Sequence, residues 1–136
     1  MCERKYQHTV AQLIDRLSIV TLKSIKIPEF KETFESEASD IIHDLNILLG
    51  DEKGEFIRAV QINSISNEII WANEAKARLG GDEQDKMLKL THSVNRVRVA
   101  AMNKIAYLMG ERKDPKVDCL AAESCKQNGY NFEGIL

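Results

Sequence analysis

Residues 53–82 read KGEFIRAVQINSISNEIIWANEAKARLGGD, and this stretch decides the fold. From Lys53 to Leu79 nothing breaks a helix, and the pair Gly80-Gly81 then ends it while Asp82 stands ready to cap a successor. That successor carries Met87, Leu90, Val94, Val97, Ala101, Ile105 and Leu108 at helical spacing and closes at Gly110, with Pro115 preventing simple continuation. At 1.5 Å per residue both helices are roughly 40 Å long, and so short a link forces them side by side and antiparallel. Working backwards, Gly50 ends a preceding helix bearing Phe30, Phe34, Ile41, Leu45 and Leu48, and Asp51 is placed to cap the helix after it. Before that, Thr9 to about Ile25 repeats Val10, Leu13, Ile14, Leu17, Val20 and Leu22 at steps of three and four, and Pro28 imposes a turn or kink. The expectation is an all-α antiparallel four-helix bundle over residues 9–110, within a single domain of residues 1–136. The short tail from about residue 111 is expected to hold one small helix near Cys119 to Lys126 and then an extended end.

Composition bounds the function. The chain of 136 residues is 43% hydrophobic and 29% charged with only 7 Gly and 2 Pro, which excludes a disordered or collagen-like chain. A formal net charge of −2 provides no global field for a polyanion. The basic residues Arg96, Lys104, Arg112, Lys113 and Lys116 lack the interleaved aromatics on which bases stack, which also counts against nucleic acid. No run of 18 apolar residues is present, and Met1 to Tyr6 has no signal-peptide character, so the reading is a protein that neither spans a membrane nor is exported. Cys2, Cys119 and Cys125 show no C-x-x-C spacing, and read as free thiols in a reducing cytoplasm.

Two helices carry more apolar surface than one bundle face requires. Ile19 and Leu22 fall away from Leu13, Leu17 and Val20, while on the third helix Phe56, Val60, Ile70 and Trp71 oppose Ile62, Ile65 and Ile69. Self-association through the spare stripe is the preferred reading, giving a homo-oligomer. The alternative is a first helix central in its own bundle.

Polar residues within apolar stripes mark a candidate site. Arg98 lies between Val94, Ala101 and Ile105, and a guanidinium buried there needs a carboxylate. Glu74, which shares a face with Asn67 and Trp71, is the nominated partner, and Asn95 and Asp15 extend the cluster. Asp15, Asn67, Trp71, Glu74, Asn95 and Arg98 thus form an expected inter-helix polar network, either structural or ligand-binding. Snorkelling of Arg98 towards water is the competing outcome.

Other chemistry is poorly represented. Glu37, Asp40, His43 and Asp44 recur along the second helix with spacing that suits a divalent ion, but a di-iron arrangement needs a second Glu-x-x-His, and Asp40-x-x-His43 has none. The bland reading is a solvated face. His8 and His92 stand alone as surface residues. No nucleophile elbow or phosphate-cradling glycine loop is present, so no metal, cofactor or catalytic residue is assigned.

Three stretches, Ile14-Asp15-Arg16-Leu17-Ser18-Ile19 with Leu22-Lys23, then Asn67-x-x-x-Trp71-x-x-Glu74-x-x-x-Arg78, then Asn95-x-x-Arg98-x-x-x-x-Asn103-x-Ile105, carry a likeness. The pattern resembles uncharacterised all-helical bacterial domains of unknown function, some of which accompany glycosyltransferases of surface-polysaccharide pathways. The resemblance spans about Leu13 to Met109 and implies a polar inter-helix site with a loose link to glycan metabolism. The functional expectation is a non-enzymatic, oligomeric helical bundle that binds a partner protein or small polar ligand. The alternative is a MazG-like all-helical nucleoside triphosphate pyrophosphohydrolase holding magnesium. Glu32-x-x-Glu35 and Glu37-x-x-Asp40 offer one half of such a site, whereas the third helix supplies only isolated Glu55, Glu68 and Glu74.

Overall fold

The computed structural model describes residues 3–81, 84–111, 129–132 and 135–136. Among them lie four helices and no strand: α1 (Val10–Lys26), α2 (Lys31–Leu49), α3 (Lys53–Arg78) and α4 (Gln84–Leu108), with a 3-10 turn over Pro28–Phe30. The cysteines, the expected Asp82 cap, Pro115 and the expected short helix at 119–126 lie outside the described residues.

Local chemistry accounts for most boundaries. Thr9 and Gln12 exchange side-chain and backbone hydrogen bonds, a reciprocal capping box that starts α1. Pro28 opens the 3-10 turn at a position where its missing N–H costs nothing. Gly50 leaves α2 with φ +115° and ψ 160°, a region essentially closed to side-chain-bearing residues.

The start of α3 departs from expectation, because Asp51 does not cap it. Glu52 holds the N-cap position in a left-handed conformation without a side-chain hydrogen bond. The missing acceptor comes from the neighbouring helix: Asn46 Oδ1 accepts the Gly54 N–H at 2.7 Å. The turn at Gly50–Glu52 brings α3 back so tightly that a Cβ on Gly54 would lie 2.7 Å from the Ile42 carbonyl oxygen. Glycine at 54 is therefore a requirement of helix contact.

Helices α1 and α2 are antiparallel, since their contacts run in opposite order: Lys23 over the Phe34 ring, Arg16 on Glu37, and the chain before α1 on Asp44. Leu13, Leu17, Val20, Ala38, Ile41 and Leu45 form the core between them. A second core joins Ile62 and Ile69 of α3 to Leu90, Val94, Val97 and Ala101 of α4, with Ile25 added from the end of α1. Helix α1 packs on α2 and α3, which places it at an edge rather than at the centre. Ile19 and Leu22 consequently remain exposed.

Among the described residues α4 packs closely on α3 alone of the other helices, so the four-helix arrangement is open on one side. The C-terminal segment closes it. Phe132 and Ile135 are buried in the α3–α4 core, the Asn131 N–H donates to the Ile25 carbonyl at 3.0 Å, and Lys31 Nζ donates to the Asn131 carbonyl at 3.1 Å. The expected extended tail end is thus a structural part of the bundle.

Candidate functional site

The buried line of α3 runs Gly54, Arg58, Ile62, Ser66, Ile69, Asn73 and Ala77, at helical steps of three and four. This geometry carries Arg58 inside, where only 6% of the residue is exposed. Its Nη2 donates to Glu35 Oε2 of α2 at 2.6 Å, and Ser24 Oγ of α1 donates to that same oxygen at 2.6 Å. Three helices thereby meet on one carboxylate oxygen. A buried guanidinium needs such a counter-charge, because unpaired it would carry its full desolvation cost. The pairing is nevertheless incomplete: among the described residues the buried Arg58 Nε has no hydrogen-bond partner.

A cavity of about 300 Å³ opens beside this pair, lined by Glu35, Ser39, Ile42, Glu55, Arg58, Lys104, Ile135 and Leu136. It brings together the start of α3, the end of α4, the middle of α2 and the C-terminal segment, so it occupies the open side of the bundle. A second cavity of about 280 Å³ adjoins it along α4, sharing Lys104 and Leu136. Glu55 is steadied by Asn46, whose Nδ2 donates to its carboxylate at 2.8 Å. The half-buried Lys104 makes no hydrogen bond or ion pair with the described residues.

A separate polar cluster anchors the amino-terminal segment. Asp44 is fully buried, and its two carboxylate oxygens accept the backbone N–H groups of Lys5 and Tyr6 at 2.6 Å each. His43 Nδ1 lies 3.2 Å from Oδ1, and Arg4 Nε lies 4.0 Å from Oδ2. Burial, the largest single influence, pushes the Asp44 carboxyl up, but the two backbone donors, His43 and Arg4 together outweigh it and hold the pKa below the usual value. Arg16 stacks over the Tyr6 ring with 5.6 Å to the centroid, fixing the same segment from α1.

Most residues of the expected network are elsewhere. Asp15 is exposed on α1, and Asn67, Trp71 and Glu74 line the solvent side of α3, Trp71 with 74% of its surface exposed. Asn67 Nδ2 donates to Asn63, and Glu74 lies 4.0 Å from Arg78 on its own helix, not beside Arg98. The pairing of Glu74 with Arg98 fails because the face of α3 turned towards α4 carries Ile62 and Ile69. Asn95 and Arg98 do meet, with Nε donating to Asn95 Oδ1 at 2.9 Å and Nη1 to Met102 Sδ at 3.3 Å. The buried line of α4, Leu90, Val94, Val97 and Ala101, passes one residue beside Arg98, so its guanidinium follows its own helix outward.

Three carboxylates of α2 are engaged by groups of the protein itself. Glu35 is engaged by Arg58 and Ser24, Glu37 accepts from Arg16 Nε at 2.7 Å, and Asp44 is enclosed by backbone N–H donors rather than lying on a solvated face. Among the described residues no three His, Cys, Asp or Glu side chains gather closely enough to hold a metal.

The interior arginine absent from the sequence-based network is Arg58. Its signal in the sequence is faint: it stands four residues before Ile62 on the line leading to Ile69, but that line is too mixed in polarity to stand out. Compared with protein-family models, curated proteins and solved structures, the chain matches none.

Proposed function

We propose that this protein is a non-enzymatic helical bundle that binds a small polar ligand at a polar inter-helix site, the cleft around Arg58 between α2, α3 and α4. One observation carries this reading: a buried arginine, paired with Glu35, borders a cavity of about 300 Å³ whose wall mixes charged and hydrocarbon side chains. The volume falls at the lower end of the range for small-molecule pockets, and the mixture of hydrocarbon wall and a few polar groups is the usual composition of one.

The test is a ligand-observed NMR screen of small polar metabolites against the wild type and Arg58→Met, with folding of the variant checked by circular dichroism. The reading predicts a chemically related set of hits that Arg58→Met loses. Hits retained by a folded Arg58→Met, or a screen without any hit, would refute it.

The exposed Ile19, Leu22, Val60 and Trp71 support self-association as a second property, since they offer apolar surface on α1 and α3 that this chain leaves uncovered. Light scattering coupled to size-exclusion chromatography tests it: a dimer or larger species that Leu22→Glu and Trp71→Glu dissociate is expected, and a wild-type monomer at high concentration contradicts it.

A further inference from the structure

Resting on the self-association reading, we infer that the partner at the outer face of α1 is a second copy of this chain, paired with it antiparallel about a twofold axis level with the peptide bond between Val20 and Thr21. The side of α1 turned away from the bundle carries Gln12, Asp15, Ile19, Leu22 and Lys26, all exposed and spaced by alternating steps of three and four. That is the spacing of a helix–helix seam, in which such residues stay on the line facing a partner. The two apolar members, Ile19 and Leu22, stand in the middle, 45% and 38% exposed, with an acid towards one end and a base at the other. Asp15 and Lys26 form no ion pair with the described residues, whereas Arg16, beside the line, is taken up by Glu37.

The order of these charges selects the partner and its direction. Laid antiparallel about the middle of the stripe, two copies of α1 set Ile19 on the partner's Leu22 and Asp15 on the partner's Lys26, and the symmetry makes each contact twice. Laid parallel, they set Asp15 on the partner's Asp15 and Lys26 on the partner's Lys26, which repel. The exposed stripe of α3, Val60, Ser64, Asn67 and Trp71, does not share this property: the same operation about its own middle brings Lys53 against the partner's Arg78, two like charges. The twofold is therefore assigned to α1, and α3 adds only flanking contact. A seam of 17 residues is about 25 Å long and buries little area for a stable dimer, so association is expected at micromolar concentrations rather than below them.

The experiment is sedimentation velocity on the full chain and its variants over a range of concentrations in low salt, with thermal melts to confirm that each variant is folded. Asp15→Lys and Lys26→Asp each turn two attractions of the dimer into repulsions, and each should weaken dimerisation about tenfold or more. The double variant Asp15→Lys with Lys26→Asp, which exchanges the two charges, should return it close to the wild-type value, and a mixture of the two single variants should form a heterodimer more tightly than either pairs with itself. Rescue of this kind depends on the two positions meeting across the interface and not on either residue's part in the fold of one chain. A dimer that Leu22→Glu dissociates but that neither reversal weakens, or that the exchange fails to restore, overturns the antiparallel α1 seam while leaving self-association in place. A wild-type chain that stays monomeric at high concentration overturns both.

Discussion

Replacing Asp44 with Asn isolates one buried charge from its shape. The carboxylate accepts two backbone N–H groups, from Lys5 and Tyr6, at 2.6 Å each, and the side chain is entirely enclosed. Hydrogen bonds to an ionised acceptor contribute about 1.5–3 kcal/mol apiece. Asn keeps one oxygen, loses the charge and turns an NH2 towards a backbone donor, so one bond disappears and the other weakens, a loss of about 2–4 kcal/mol. For a domain of this size that corresponds to a fall in Tm of roughly 10 °C. Because the folded-state pKa of Asp44 lies below its unfolded value of about 3.9, the stabilisation is complete above that pH and is lost as pH falls through the folded value. The difference between wild type and Asp44→Asn in urea unfolding should therefore be full at pH 7 and shrink in strong acid. Hydrogen exchange supplies a local readout, with the Lys5 and Tyr6 amides losing protection before the α3–α4 core does. An unchanged urea midpoint at neutral pH, together with undiminished protection of those two amides, would show that this carboxylate does not hold the segment.

Further outcomes follow from the packing. Gly54→Ala should destabilise by about 1–3 kcal/mol in chemical denaturation, since the clash with the Ile42 carbonyl outweighs the helix-propensity gain of about 1 kcal/mol; a more stable variant would contradict the close α2–α3 approach. Phe132→Ala should cost about 3–5 kcal/mol by differential scanning calorimetry, as expected for a core aromatic and not for a loose tail. Glu35→Ala strands Arg58 and should cost more than Arg58→Met, which removes both the charge and its need for a partner; equal midpoints for the two would argue against a buried pair. Arg98→Met should change stability by less than about 0.5 kcal/mol, because among the described residues its guanidinium bonds only within α4.

What the chain determined unaided was local. Thr9 with Gln12, Pro28, Gly50 and the Gly80-Gly81 pair placed the helix limits to within a residue or two, because capping and glycine conformations depend on atoms only a few positions apart. The rotation of each helix about its own axis was another matter. Helix α1 announces its buried side through Leu13, Leu17 and Val20, whereas the interior line of α3 contains Gly54, Arg58, Ser66, Asn73 and Ala77, so apolar periodicity could not separate inside from outside there. With that rotation unresolved, Trp71 and Glu74 resembled an inward face although they meet solvent, and Arg98 drew the attention that Arg58 warranted. The placement of Asp44 beneath Lys5 and Tyr6, the Asn46 cap on α3, and Phe132 and Ile135 in the open side of the bundle join residues far apart in the chain. No spacing rule reaches across such separations: they are decided when helices with a tight glycine contact leave a gap, and the nearest group of matching shape or charge fills it.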